Sequence, residues 1–321
     1  MKIQKRNLVI LMVAVTVMLL QACGIKKDPE LLKIIEAIPV NCEMHPPASN
    51  ASQTISKSNY GWKIENCKNN ENKMGQEYIK KVGVSKALPT LVATFDSDDE
   101  KISAASTYFL NWNVGSSFEL KNIAKNPELV EDKVIDTFIK AFKKRMNENY
   151  AQYATRALVN IGSIKKRTEA LWDIYNSADE KAPFKGGFIA SIMQYGGMDS
   201  FSQIQKVAGS DNVYQAASAI RAPMSHYEIA GEELKTVCSW WSSLLGNEKI
   251  EISAAASAGL TSKCEAEQID AALAEIEKRI AVDAQNSKKY SWALSNVRCP
   301  SQRYSEEQCA KSTALKEKDK K

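Results

Sequence analysis

Hydrophobic and polar positions follow the period of an α-helix along most of the chain after Met74. Ile102, Ala105, Phe109 and Trp112 have the spacing i, i+3, i+7 and i+10, which places them on one helical face. No stretch of the sequence shows the sustained two-residue alternation that is typical of a half-buried strand. The pattern therefore predicts an all-α fold.

A second segment has two adjacent apolar stripes, which indicate a helix buried between neighbours. The stripes consist of Val130, Val134, Phe138 and Ala141 on one side and of Ile135, Ile139, Phe142 and Met146 on the other. Further helices are predicted at residues 163–177, 184–195, 199–208, 211–221, 226–245, 249–260, 265–283 and 287–298. Together these segments predict a helical-repeat domain over residues 73–310.

Two segments next to this domain lack helical periodicity. Residues 39–72 contain several prolines and many Asn and Ser side chains, a composition that favours an irregular loop. The loop is expected to follow a tether and short helix at residues 23–38. Residues 311–321 are highly charged and predict a flexible tail.

Several predicted helices have small residues at their centres, most clearly at 153–162 and 252–260. These segments resemble the second helix of HEAT-type repeats, in which small side chains let neighbouring helices approach closely. Aligning Ala105, Ala154, Ile189, Ala217, Ala255 and Ala293 gives separations of 49, 35, 28, 38 and 38 residues. HEAT and armadillo units are about 40–47 residues long. The resemblance implies an irregular HEAT-like α-solenoid, a superhelix of antiparallel helix pairs, and an irregular helical bundle is the alternative.

The N-terminus has the organisation of a secretory signal peptide. Lys2, Lys5 and Arg6 precede an apolar stretch at residues 8–20. This stretch is shorter than the roughly 20 residues that a membrane-spanning helix needs. A basic start, a short apolar centre and small residues after it indicate a cleavable signal at residues 1–22.

The end of this segment reads Leu20-Gln21-Ala22-Cys23-Gly24 and resembles the lipobox of bacterial lipoproteins. The resemblance implies that Cys23 becomes the first mature residue and carries diacylglycerol and palmitate chains. Several acyl chains give stable membrane anchorage. In that family Gly24, rather than Asp, implies the outer membrane, facing the periplasm or the cell surface. An uncleaved anchor helix and an ordinary secretory peptide are the alternatives.

The chain has seven cysteines, and lipidation of Cys23 would leave an even number. The remaining six form three local pairs, Cys42 with Cys67, Cys238 with Cys264 and Cys299 with Cys309, at separations of 25, 26 and 10 residues. We therefore predict three disulfides, each stabilising the fold by about 2–4 kcal/mol. Free buried thiols are one alternative. A metal site is the other, and the absence of C-x-x-C spacing argues against it.

Charge and residue types exclude several kinds of chemistry. Loss of residues 1–22 removes three of the 43 basic side chains and none of the 38 acidic ones, which leaves a formal charge of about +2. A nucleic-acid binder is expected to be more basic. His45 and His226 are the two histidines. Ser163-Ile164-Lys165-Lys166 lacks the companion motifs of an S-x-x-K enzyme, and Lys101 replaces the glycine that an EF-hand needs after Asp96–Glu100. We predict no catalytic residues, metal or cofactor.

Two kinds of surface feature are candidates for binding. The first is a pair of basic clusters, Lys143-Lys144-Arg145 and Lys165-Lys166-Arg167, which could meet an anionic partner. Cations near helix C-termini are the simpler interpretation. The second is Trp240-Trp241, because consecutive helical residues point about 100° apart and only one indole is expected to enter a given core. The other indole could be exposed and serve as an anchor for a binding partner. Packing of that indole between repeats is the alternative.

These observations favour a non-enzymatic, lipid-anchored scaffold that binds another envelope protein through its helical-repeat surface. The alternative is an envelope lipoprotein that binds a ligand or glycan, or a hydrolase with an unrecognised site. A deep pocket with convergent carboxylates would favour this alternative.

Overall fold

The computed structural model describes residues 25–45, 63–115, 119–148, 150–180, 182, 184–226 and 228–318. Cys23 and the predicted signal peptide lie outside these residues. Within them the regular secondary structure is helical except for one two-stranded antiparallel sheet, so the all-α, helical-repeat prediction is confirmed. The chain divides into two compact units, Met1–Leu158 and Val159–Lys321.

The first unit contains six α-helices among its described residues, and a seventh crosses the division between the units. In chain order the elements are α1 (Pro29–Asn41), β1 (Glu43–His45), β2 (Lys63–Glu65), α2 (Glu71–Val82), α3 (Val84–Phe95), α4 (Glu100–Phe109), α5 (Leu120–Lys125), α6 (Asp132–Arg145) and α7 (Thr155–Ile164). A π-helical turn, Leu110–Val114, continues α4.

The second unit continues with nine helices in its described part. They are α8 (Thr168–Ser177), α9 (Lys185–Gly196), α10 (Phe201–Ala208), α11 (Val213–Arg221), α12 (Gly231–Ser243), α13 (Ile250–Lys263), α14 (Ala266–Val282), α15 (Asn286–Asn296) and α16 (Glu306–Lys318). In the part of the chain that the structure describes, no helix combines the length and apolar character needed to cross a bilayer.

Helix α3 forms the centre of the first unit and packs against α1, α2, α4 and α6. The Phe95 ring meets the edge of Phe138 with centroids 5.7 Å apart. Both predicted stripes of the α6 segment are buried except at Met146, which is half-buried. The wide apolar face of this helix therefore explains its place between neighbours.

The stripe from Ile102 to Trp112 is interrupted at its end. Ala105 and Phe109 are fully buried as predicted, but Trp112 is 54% exposed. The cause is the π-helical turn at Leu110–Val114, whose i→i+5 bonding changes the helical period and rotates the following residues. The prediction that Trp112 shares the buried face is therefore wrong.

The segment 39–72 is more regular than predicted. Helix α1 continues through Pro39 to Asn41, and α2 starts at Glu71. Between them β1 and β2 pair antiparallel, next to a disulfide that joins Cys42 and Cys67. Three-residue strands are too short for alternation to be visible in the sequence. Residues 46–62 lie outside the described residues.

Helices of the second unit form two layers. Helices α9, α11, α13 and α15 pack side by side in what we call the first layer. Helices α10, α12, α14 and α16 form the second layer, in which α12 contacts α14 and α14 contacts α16. The Phe201 ring of α10 meets the Trp240 ring of α12 at 5.2 Å.

Helices α12 and α13 form an antiparallel pair that links the two layers. A disulfide joins Cys238 to Cys264 at one end. Trp241 contacts Gly259 in the middle, and the Ser253 hydroxyl donates to the Leu245 carbonyl near the turn. As the residue numbers rise from 238 to 245 in the α12 segment, those of the contacting residues on the α13 side fall from 264 to 253. The two helices are therefore antiparallel.

Helices α13 and α15 lie parallel within the first layer. Glu251 pairs with Lys289, the Tyr290 hydroxyl donates to Ser253, and the Asn296 side chain donates to the Ala258 carbonyl. These contacts join residues 37 or 38 positions apart. The alignment of Ala255 with Ala293 predicted this spacing, so one structural repeat separates the two helices.

The C-terminal segment is helical, so the prediction of a flexible tail over 311–321 is wrong for residues 311–318. Ser305 and Gln308 form a reciprocal capping pair at the start of α16. Ser312 and Leu315 are buried one helical turn apart. A disulfide from Cys309 to Cys299 holds the first turn of α16 to the preceding loop.

Candidate functional site

The three predicted cysteine pairs are all disulfides in the structure. They join Cys42 to Cys67, Cys238 to Cys264 and Cys299 to Cys309. The nearest-neighbour pairing is therefore confirmed, and the alternative of free thiols does not apply to these six residues.

The two adjacent tryptophans have different environments, as the helical rotation predicted. Trp241 is fully buried, and its indole nitrogen donates to the Ile220 carbonyl at 2.7 Å. Trp240 is half-buried and packs edge-on against Phe201. Trp241 therefore belongs to the core, whereas Trp240 remains accessible.

Trp240 lines a cleft of about 470 Å³ in the second unit. Other walls come from Gln205 within α10 and Ser210 just after it, and from Asn247, Glu248 and Lys249 before α13. Glu248 is the single carboxylate among the described lining residues. An aromatic wall with amide and hydroxyl groups suits a small polar ligand.

The first basic cluster is only partly available at the surface. Lys143 and Lys144 are exposed in the last turn of α6, and the Lys144 ammonium lies 3.0 Å from the Asp98 carboxylate. Arg145 is 5% exposed. Its guanidinium donates to the Tyr150 hydroxyl at 2.9 Å and to a backbone carbonyl of residue 97. The prediction that Arg145 belongs to a binding surface is therefore wrong, because the side chain is buried and its two terminal nitrogens donate to internal acceptors.

The second basic cluster forms the turn between α7 and α8. Lys166 is exposed and has a left-handed backbone with φ of 56°. The amides of Lys166 and Arg167 donate to the Ser163 and Gly162 carbonyls, which ends α7. The structure thus places these cations at a helix C-terminus, where they interact favourably with the helix dipole. The two basic clusters belong to different units.

A further group of side chains lies on the first layer of the second unit. The guanidinium carbon of Arg221, at the end of α11, lies 5.0 Å from the Trp292 ring centroid on α15. Trp292 is 46% exposed, and Tyr214 at the start of α11 is 81% exposed. We call Tyr214, Arg221, Glu251, Lys289 and Trp292 the Arg221–Trp292 face.

Helix α13 lies between α11 and α15 and makes this contact possible. Its residues 253–259 are Ser, Ala and Gly only, and all of them are buried. No large side chain of this stretch separates α11 from α15. Arg221 and Trp292 can therefore meet across α13.

Among the described residues, Arg221 is a cation without an anionic partner. None of the hydrogen bonds or ion pairs of the described residues satisfies it, and its buried Nε atom has no partner. Burial lowers the pKa of Arg221. Stacking on an indole offsets part of the lost hydration. Arg221 thus has no hydrogen-bond acceptor among the described residues.

The other charges of the face neutralise each other. The Lys289 ammonium lies 2.9 Å from the Glu251 carboxylate. The hydrogen bond from Lys289 lowers the pKa of Glu251 and raises that of Lys289. Among the described residues, Arg221 therefore adds an uncompensated positive charge to the face, beside the exposed Trp292 ring.

Sequence reasoning did not identify this face. Arg221 and Trp292 are 71 positions apart, close to but not equal to two 38-residue repeats. The repeat spacing could have placed α11 and α15 on either side of α13. It could not show which side chains turn away from the second layer, because that depends on the rotation of each helix in the packed structure.

The sequence has no significant match among protein-family models or curated proteins.

Proposed function

We propose that this protein is a non-enzymatic scaffold that binds another cell-envelope protein through the Arg221–Trp292 face. In this proposal Cys23 carries the acyl chains that anchor the scaffold to the outer membrane. The observation that carries the proposal is the half-buried Arg221, which has no anionic partner among the described residues and is stacked on the exposed Trp292.

The chemistry of the face favours a protein partner with an acidic side chain. Trp, Tyr and Arg are the residue types that most often dominate interface energies. A carboxylate can accept two parallel hydrogen bonds from a guanidinium, which gives direction as well as strength. Arg221 has already lost part of its hydration in the free protein, so a partner carboxylate would remove less water than at a fully exposed arginine.

The rest of the chain supports the setting of this proposal. Stacked helical repeats offer extended surfaces that commonly bind proteins. Three disulfides suit an oxidising compartment such as the periplasm. The lipobox at Leu20–Cys23 supports anchorage to a membrane.

The test is site-specific photocrosslinking in intact membranes, followed by affinity purification. A photoreactive residue replaces Tyr214, the most exposed member of the face, and the crosslinked protein is identified by mass spectrometry. We expect one envelope partner at near-stoichiometric yield. Recovery of no such partner would contradict the scaffold function.

Variants of the face then test the site itself. Arg221→Met and Trp292→Ala should each weaken binding at least about tenfold, the usual effect of losing an interface hot spot. Trp112→Ala is the matched control, because Trp112 has similar exposure but lies in the first unit. Equal binding by all three variants would show that the partner uses another surface.

A second candidate function is the binding of a small ligand or glycan in the Trp240 cleft. The observation in its favour is the size of the cleft, which lies within the usual range of about 300–1,000 Å³ for ligand sites. Ligand binding that is lost in Trp240→Ala but unchanged in Arg221→Met would support this candidate over the scaffold.

A further inference from the structure

The two short strands of the first unit place several polar side chains on one face. Alternate residues of a strand share a face, so Glu43 and His45 point the same way. The antiparallel register pairs Glu43 with Glu65 and His45 with Lys63. Ile64 lies on the opposite face and is buried, which fixes the orientation of the hairpin relative to the core.

Three potential metal ligands converge on this face. The Nε2 atom of His45 lies 3.6 Å from a Glu43 carboxylate oxygen and 3.7 Å from Glu65 Oε1. The three ligand atoms all lie within 4.8 Å of one another. Zinc bonds of about 2.0–2.2 Å in tetrahedral geometry place two ligand atoms about 3.3–3.6 Å apart. Small side-chain movements would therefore bring all three atoms to bonding distance of one ion.

Neighbouring groups hold the carboxylates in place. The Lys63 ammonium lies 2.5 Å from Glu65 Oε2, which leaves Oε1 directed at His45. The Asn66 amide donates to Glu43 at 2.8 Å. The disulfide between Cys42 and Cys67 joins the chain next to both strands. Such outer contacts orient ligands in known metal sites.

We propose that Glu43, His45 and Glu65 bind a divalent transition-metal ion, with zinc as the best chemical fit. One imidazole and two carboxylates are ligands that zinc accepts, and three protein ligands leave a fourth position for water or a further donor. His45 is half exposed, so the ion can reach the site without opening the fold. As ion pairs alone, these exposed groups would contribute little to stability.

Zinc titration of the purified, metal-free protein by isothermal titration calorimetry tests the site. We expect saturable binding of one zinc ion per chain, which His45→Gln abolishes. Glu43→Gln and Glu65→Gln should each weaken binding at least about tenfold. The titration is done without reductant, because reduced Cys42 and Cys67 would compete for zinc.

The second histidine supplies a matched control. His226 bonds the Gln194 carbonyl through Nδ1 and lies in the second unit, so His226→Gln should bind zinc like the natural protein. In NMR spectra of the imidazole groups, zinc should shift the His45 signals and leave those of His226 unchanged. The proposal is overturned if His45→Gln keeps the same affinity, or if no saturable binding occurs up to about 1 mM zinc.

Discussion

Gly259 has no room for a side chain, because Trp241 packs against it. The indole of Trp241 lies directly against its α-carbon, so any added methyl group would overlap the ring. We expect Gly259→Ala to destabilise the protein by about 1–3 kcal/mol, since overpacking forces ring or backbone to move. Urea unfolding, followed by circular dichroism, measures the change.

Gly187 provides the matched control for this substitution. It also lies within a helix, α9, but outside the backbone of that helix no described atom lies within 4 Å of the position of an added methyl group. Gly187→Ala should therefore be neutral or stabilise by up to about 1 kcal/mol through helix propensity. Equal effects of the two substitutions would contradict the packing of Trp241 on Gly259.

Glu71 is a residue whose charge is expected to stabilise the fold. It is 4% exposed and accepts hydrogen bonds from the Asn41 amide at 2.6 Å and from Asn69. Burial raises the pKa of Glu71, but the hydrogen bonds outweigh it and the net pKa lies below the usual value. Glu71→Gln should lower the free energy of unfolding by about 1–3 kcal/mol at pH 7. The glutamine amide group would place its own N–H donors against the N–H donors of Asn41 and Asn69.

The pH dependence of this effect has a definite sign. A carboxyl whose folded pKa is lowered stabilises the fold above its unfolded pKa of about 4.3 and loses that contribution as the pH falls through the folded pKa. The stability difference between the natural protein and Glu71→Gln should therefore narrow below about pH 4.3. Glu77→Gln is the control, since Glu77 is exposed and its pair with Lys73 spans 3.8 Å. A constant difference at pH 7 and pH 3 would contradict the role of the charge.

At the scale of elements, the α12–α13 pair is stabilised by the disulfide at its open end. The Cys238–Cys264 bridge spans 26 residues and the Cys299–Cys309 bridge spans 10. Loop entropy predicts stabilisation of about 3.5 kcal/mol for the first and about 2.7 kcal/mol for the second. Replacing each pair by serines and measuring chemical unfolding should reproduce this order. The reverse order would show that native contacts, and not loop length, determine the effect.

Helices were predictable because their apolar period extends over three or more turns. The α6 stripes are an example of such a period. The 38-residue spacing of Ala217, Ala255 and Ala293 is a second regular pattern, and it extends over several helices. Three elements are too short to show a period: the π-helical turn at Leu110–Val114 and the strands Glu43–His45 and Lys63–Glu65. Their geometry depends on bonds to neighbouring segments, which no local period records.

At the scale of the whole molecule, the predicted membrane anchorage depends on Cys23. We predict that the natural protein incorporates labelled palmitate and partitions into detergent. Cys23→Ser should incorporate no label and should not acquire the diacylglycerol anchor. Metabolic labelling and detergent partition measure both effects. Cys299→Ser is the control, because Cys299 is a disulfide partner and is not part of the lipobox sequence. Labelling of Cys23→Ser equal to that of the natural protein would contradict the anchor.

The amino-acid sequence by itself determined the helical class, the cysteine pairing and the expectation of a lipid anchor. Each depends on local spacing: helical period, short separations between cysteines, or the consecutive residues Leu20–Cys23. Only the tertiary structure decided that Arg145 is buried, that Arg221 reaches Trp292, and that His45 meets two carboxylates. These contacts depend on helix rotation and strand pairing, which are settled when distant segments pack together.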